Sequence, residues 1–138
     1  MAALFHLRVL AADRAFYDGD CESLTVPTSD GELGILAHHS NLVAAVIPGQ
    51  LRANVPDGSF TEAAVSGGLL KVEDGDVLLL ADSVERPEEI DAERARRAEA
   101  RAREALLQKR STQEYRDAQA HLARALNRLK VSGGNRGR

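Results

Sequence analysis

The chain has 138 residues, 43% of them apolar, enough for one domain of ordinary size plus an appendage. With no Trp, two Tyr and three Phe it lacks the aromatic surface that stacks single-stranded nucleic acid, and a single Cys excludes an internal disulfide or a cysteine metal cluster. The net charge of −3 hides a division, because residues 1–86 carry 5 basic against 13 acidic side chains and residues 87–138 carry 13 against 8, so the two parts are expected to meet different partners.

The chain opens without a basic stretch and long apolar run, and no segment approaches the ~20 apolar residues that span a bilayer, so a soluble chain without a secretion signal is expected. Phe5, Leu7, Val9 and Ala11 alternate with His6 and Arg8, the period of a strand with one buried face. Cys21 reads as a small strand residue. Leu24 and Val26 flank Thr25 in a further strand pattern, and Leu42 to Ile47 is a short apolar run. Asp57-Gly58 separates Leu51 to Val55 from Phe60 to Val65, and Asp74-Gly75 separates Leu69 to Val72 from Val77 to Leu80. Asp-Gly between apolar runs predicts a hairpin in each case. Gly67-Gly68 precedes a strand rather than a helix, so it lacks the amide nest that holds phosphate and predicts a bulge or a close backbone contact. Short strands without a crossover-length helix predict an antiparallel flattened β-sandwich over residues 1–86, rather than a parallel sheet.

After Pro87 the period changes. Ala95, Ala98, Ala102 and Ala105 recur at steps of three and four, as do Tyr115, Ala118, Leu122, Ala125 and Leu129, which predicts an antiparallel two-helix hairpin over residues 87–132. The first seam is nearly all alanine, so the backbones can approach closely while each turn buries little area. Asp91 is placed to cap the first helix, Ser111-Thr112-Gln113-Glu114 has the form of a capping box, and a turn is expected near Lys109 to Thr112. Residues 133–138 carry too little apolar content to order themselves and are expected to form a disordered tail.

The hairpin also holds the chain's most informative pattern. Arg94 and Arg101 are seven apart and share a helix face; Arg124 and Arg128 are four apart and share another. Folding the hairpin lays Arg94 beside Arg128. Like charges crowded this way repel unless a polyanion sits among them, and guanidinium forks suit phosphate oxygens, so a bound nucleotide is the sharp reading. The bland one is a solvated arginine face.

No catalytic constellation stands beside it. There is no GxxxxGK[ST], HExxH or CxxC, and Cys21 has no histidine near it in sequence. His38 and His39 are adjacent, which on a strand sends them to opposite faces and prevents joint metal binding. No catalytic residue and no metal ligand is assigned.

Thr25-Val26-Pro27, Gly31-Glu32-Leu33-Gly34-Ile35-Leu36, His39, Ile47-Pro48-Gly49 and Leu51 together resemble the first domain of the epsilon subunit of F-type ATP synthases of the bacterial type. Val65-Ser66-Gly67-Gly68, Val77 to Asp82, Glu85-Arg86 and Ile90-Asp91 continue the pattern, and Arg124-Ala125 with Asn127-Arg128-Leu129 closes it. The resemblance implies a sandwich packed on the gamma subunit and touching the polar loops of the c-ring, followed by the helical hairpin, the whole turning with the rotor. Such a subunit is not an enzyme. It couples proton-driven rotation to ATP synthesis, and its helices can extend into the catalytic alpha/beta hexamer and hinder ATP hydrolysis. No catalytic cofactor is implied, and ATP would be a regulatory ligand. By similarity Glu85, Ile90, Asp91 and Ala95 would surround adenine and ribose, whereas Arg94, Arg101, Arg124 and Arg128 would hold the phosphates. Glu32 and His39 would face the c-ring and gamma. Where the family usually reads Pro-Gly-His-Ala-Pro, this chain has Ala37-His38-His39-Ser40-Asn41, which predicts a more mobile or differently shaped loop there. The expected place is the cytoplasmic face of a bacterial plasma membrane, peripheral and not inserted, rather than a thylakoid.

The alternative is a free-standing module whose basic hairpin binds nucleic-acid phosphates. It would bind polyanions broadly and weaken steeply with salt, whereas a nucleotide switch prefers ATP to ADP and binds no nucleic acid. A catalytic ATPase ranks last, since no metal-holding carboxylate and lysine arrangement is present.

Overall fold

The computed structural model describes residues 3–107 and 112–134. Among these, ten strands come first: β1 (Phe5–Ala11), β2 (Ala15–Cys21), β3 (Ser23–Thr28), β4 (Gly31–Leu36), β5 (Leu42–Val46), β6 (Gly49–Asn54), β7 (Glu62–Val65), β8 (Gly68–Glu73), β9 (Asp76–Ala81) and β10 (Val84–Glu85). A 3-10 turn at Pro87–Glu89 leads into helices α1 (Ala92–Leu107) and α2 (Thr112–Gly134). The chain divides into two compact units, Met1–Arg86 and Pro87–Arg138.

In the first unit the strands form two five-stranded sheets, ordered β2-β1-β9-β8-β5 and β10-β7-β6-β3-β4. The alternation in β1 does what its period predicts: Phe5, Leu7 and Val9 are buried while His6 and Arg8 face outward. Leu7, Leu70 and Leu79 of one sheet and Leu24, Val26 and Leu51 of the other are at most 1% exposed and belong to one cluster, so the core lies between the sheets. Phe16 and Phe60 meet edge to face at 5.1 Å, and Arg14 and Arg86 both stack on the Phe16 ring.

Both predicted hairpins form, by different turns. At Asp74-Gly75 both residues have positive φ, 51° and 86°, and Glu73 pairs with Asp76, a two-residue turn matched to strand twist. Asp57-Gly58 sits in a longer connection, since the β6–β7 pairing ends at Arg52 and Glu62. There Gly58 N donates to Val55 O at 3.0 Å. The Asp57 carboxylate accepts from Ser59 N at 2.8 Å, which holds its pKa below the ordinary carboxylate value. The close contact expected at Gly67-Gly68 is real: a Cβ on Gly68 would lie 1.8 Å from the Leu80 carbonyl oxygen.

One feature departs from a purely antiparallel sandwich. β1 pairs with β9 in parallel, from Leu7 opposite Val77 to Ala11 opposite Ala81. Parallel neighbours need a long crossover, usually a helix; here the intervening strands of both sheets supply it.

In the second unit α1 and α2 pack along alanine, with Ala95, Ala102, Ala118 and Ala125 buried. The seam is shorter than its heptad spacing predicts, for Ala105 and Tyr115, both near the turn, are exposed. The helix expected to stop at residue 132 continues to Gly134, which corrects the start of the tail: Val131 and Ser132 are buried and secure the last turn. The expected turn near Lys109, Ser111 of the capping box and residues 135–138 lie outside the described residues.

Candidate functional site

A groove of about 340 Å³ opens between α1 and α2. Its floor is alanine, Ala98, Ala102 and Ala105 from α1 and Ala118 from α2. Its charged rim is Arg101 from α1 and Glu114, Asp117 and His121 from α2. The small floor follows from the seam: methyl groups let the helices lie close and leave a shallow trough beside the contact.

In an antiparallel pair each step forward on one helix matches a step back on the other, so a count that sets Ala98 against His121, both of which line the groove, also sets Ala105 against Glu114. By the same count Arg94 is level with Ala125, between Arg124 and Arg128. Arg101 stands seven residues further on, about 10 Å along the axis. Arg94 and Arg101 share the α1 rim, and His121, Arg124 and Arg128, at steps of three and four, share the α2 rim. Of these four arginines Arg101 alone lines the groove; Arg94, Arg124 and Arg128 lie beyond its lining, on the faces that Arg101 and His121 share. Arg94 and Arg101 are exposed, and Arg124 and Arg128 are half-buried.

Other residues singled out from the sequence have structural partners. Asp91 is the N-cap of α1, its carboxylate accepting from Arg94 N at 3.0 Å, while its carbonyl accepts from Ala95 N at 3.0 Å. Ile90 and Ala95 are buried, at 8% and 3% exposure. Glu85 belongs to the first unit, in β10 opposite Ala64. Glu32, on β4, forms an exposed ion pair with Arg52 of β6. His39 donates from Nδ1 to Ser40 O at 2.7 Å. In the same loop His38 has φ 65°, in the left-handed region, at the position where the resemblance has glycine. Asn41 accepts from Asp74 N at 2.9 Å and ties this loop to the β8–β9 turn. Among the described residues no cluster of His, Cys, Asp or Glu is arranged to hold a metal.

The sequence marks neither His121 nor Asp117 as a site residue, and marks Glu114 only as part of the capping box. The available signal was that His121 precedes Arg124 by three residues and Arg128 by seven, the intervals of a shared helix face. Its Nδ1 donates to the Asp117 backbone carbonyl at 2.9 Å, one turn back.

Two sheets closed face to face, followed by an alanine-seamed hairpin with arginine rims, define a two-unit sandwich-and-hairpin protein. Family models match both units: the ATP synthase delta/epsilon chain beta-sandwich domain over residues 4–87, and the long alpha-helix domain of the same chain over residues 88–133. An ATP synthase epsilon chain of Caldicellulosiruptor bescii is 44% identical over 97% of this chain and 97% of its own. That of Caldanaerobacter subterraneus subsp. tengcongensis is 44% identical over 96% of each. A chain in the OSCP/F1/c-ring structure of the Euglena gracilis mitochondrial ATP synthase superposes with a TM-score of 0.77 at 26% identity, covering 92% of this chain and 80% of that one. A chain from the central stalk and c-ring of the Tetrahymena thermophila mitochondrial ATP synthase shares the fold, with a TM-score of 0.71 at 12% identity over 95% and 98% of the two chains. The chain belongs to the ATP synthase delta/epsilon chain family.

Proposed function

We propose that this non-catalytic subunit of the F-type ATP synthase rides on the central stalk, couples c-ring rotation to ATP synthesis, and carries a hairpin that binds ATP when folded. The sandwich would contact gamma and the c-ring, with Glu32 and His39 on that edge. The hairpin, when extended, would reach the catalytic alpha/beta hexamer and hinder ATP hydrolysis. The bacterial sources of the two epsilon chains favour the cytoplasmic face of a plasma membrane. No helix among the described residues is long and apolar enough to cross a membrane, and attachment would run through the complex.

The observation that carries the nucleotide reading is the groove between the two helices that Arg101 lines. Arg94, seven residues from Arg101 on α1, and Arg124 and Arg128, three and seven residues beyond the lining residue His121 on α2, would add guanidinium groups suited to phosphate oxygens. Ile90 and Ala95 would offer apolar surface to the base, with Asp91 near the ribose. ATP that binds only the folded hairpin shifts the population away from the extended form by RT ln(1 + [L]/Kd), about 1.4 kcal/mol for each tenfold excess over Kd. ATP would then relieve the inhibition.

Calorimetric titration of the full chain tests this directly. ATP is expected to bind more tightly than ADP, and Arg94→Ala or Arg128→Ala to weaken ATP binding by roughly tenfold or more, the scale of one charge-assisted hydrogen bond. Equal affinity of the wild type and Arg128→Ala would remove the site. The named relatives are ATP synthase chains, which leaves the nucleic-acid module without support.

A further inference from the structure

We infer that His121 is a further phosphate-binding residue of the hairpin and makes nucleotide binding sensitive to pH. The inference rests on the nucleotide site proposed above and adds a proton to it.

The groove supplies the first observation. His121 of α2 and Ala98 of α1 line it together, and Ala98 lies between Arg94 and Arg101 along α1, four residues after one and three before the other. A polyphosphate in contact with both arginines must pass over Ala98, where the opposite wall of the groove is His121. That side chain also shares its helix face with Arg124 and Arg128, so it continues the cationic rim toward the turn.

The second observation is the hydrogen bond of the ring. A carbonyl accepts, so the Asp117 carbonyl at 2.9 Å fixes the proton of neutral His121 on Nδ1. Nε2 is then the nitrogen that gains or loses the titrating proton. Unprotonated, Nε2 presents a lone pair that repels a phosphate oxygen. Protonated, it presents an N–H donor and a positive charge to the same oxygen.

The charged groups facing His121 are Arg101 across the groove and Glu114 and Asp117 on its own helix. The Asp117 carboxylate also accepts from Gln113 Nε2 at 3.0 Å. The two carboxylates oppose a phosphate, while Arg101 attracts it. An arriving phosphate adds negative charge at the ring, so binding and protonation reinforce each other. The affinity gain therefore grows as pH falls.

The test is calorimetric titration of the full chain with ATP at pH 6, 7 and 8, each in two buffers of different ionisation heat, for the wild type and His121→Gln. Comparing the proteins cancels the titration of ATP itself. The wild type is expected to gain roughly tenfold more affinity than the variant between pH 8 and pH 6, and to take up more protons on binding. A side-chain NMR titration of the wild type, which needs no variant, is expected to move the His121 midpoint upward when ATP is added. Identical pH dependence and proton uptake in both proteins, or an unmoved midpoint with ATP bound, overturns the inference and leaves the nucleotide site standing. Absence of ATP binding at every pH in both proteins overturns the site and the inference together.

Discussion

At Gly68 the sandwich leaves no room for a side chain. The β8 backbone approaches β9 so closely that a Cβ would meet the Leu80 carbonyl oxygen at 1.8 Å, and backbone on both sides cannot give way cheaply. Gly68→Ala is expected to destabilise the sandwich by about 2–3 kcal/mol or more in urea denaturation, whereas Gly34→Ala, with nothing within 4 Å of the added carbon, serves as a mild control. Cys21 shows a chemical version of the same enclosure. It is 0% exposed, donates from Sγ to Ser23 O at 3.0 Å, and burial pushes its thiol from an ordinary 9.0 up to about 11. The folded state therefore keeps a proton that the unfolded thiol releases, so this contribution to stability is full below pH 9 and fades as pH rises toward 11. Thiol labelling at pH 8 is expected to proceed only as fast as the sandwich opens, with protection weakening across that interval.

At the scale of the element, Asp91 has a structural duty that precedes any ligand. It satisfies the amide of Arg94 at the start of α1, and its loss should cost about 1 kcal/mol of helix stability, measured as a lower melting midpoint by far-ultraviolet circular dichroism. Asp91→Ser keeps an acceptor there and is expected to melt like the wild type, so ATP binding by that variant separates capping from ligand contact. The alanine seam makes an opposite demand, since Ala102→Leu adds bulk between close backbones and is expected to destabilise the hairpin by about 1–3 kcal/mol in the same assay. Elements with local signals were readable from the sequence. The alternation in β1 and the Asp74-Gly75 turn each need only a few neighbouring residues to be specified. β2 was not readable, because Tyr17-Asp18-Gly19-Asp20 shows no clean period, and the strand is imposed by pairing with β1 from Phe5 opposite Cys21 onward. The parallel β1–β9 pair left no trace, since each strand looks the same whichever neighbour it takes. The arginines were visible as spacing on two separate helices. His121 was not, because one histidine on a charged helix reads as surface until the opposite wall of the groove is known.

For the whole molecule, the residues of the sandwich core all fall between Phe5 and Val84, so none comes from the helical unit. A fragment of residues 1–86 is therefore expected to fold alone and to reproduce the unfolding midpoint of the sandwich in the full chain, as read by calorimetry. The hairpin buries mainly alanine methyl groups, with little apolar area per turn, and is expected to give a separate transition at lower temperature. The parallel seam between β1 and β9 has a further consequence during synthesis on the ribosome. β1 emerges early and finds β2 at once, but Val77, the partner of Leu7, follows seventy residues later. Until then the growing chain carries an unzipped β1 edge, open to mispairing with other nascent chains. Closure of this sheet is a late, long-range event, complete only after nearly the whole first unit has been translated.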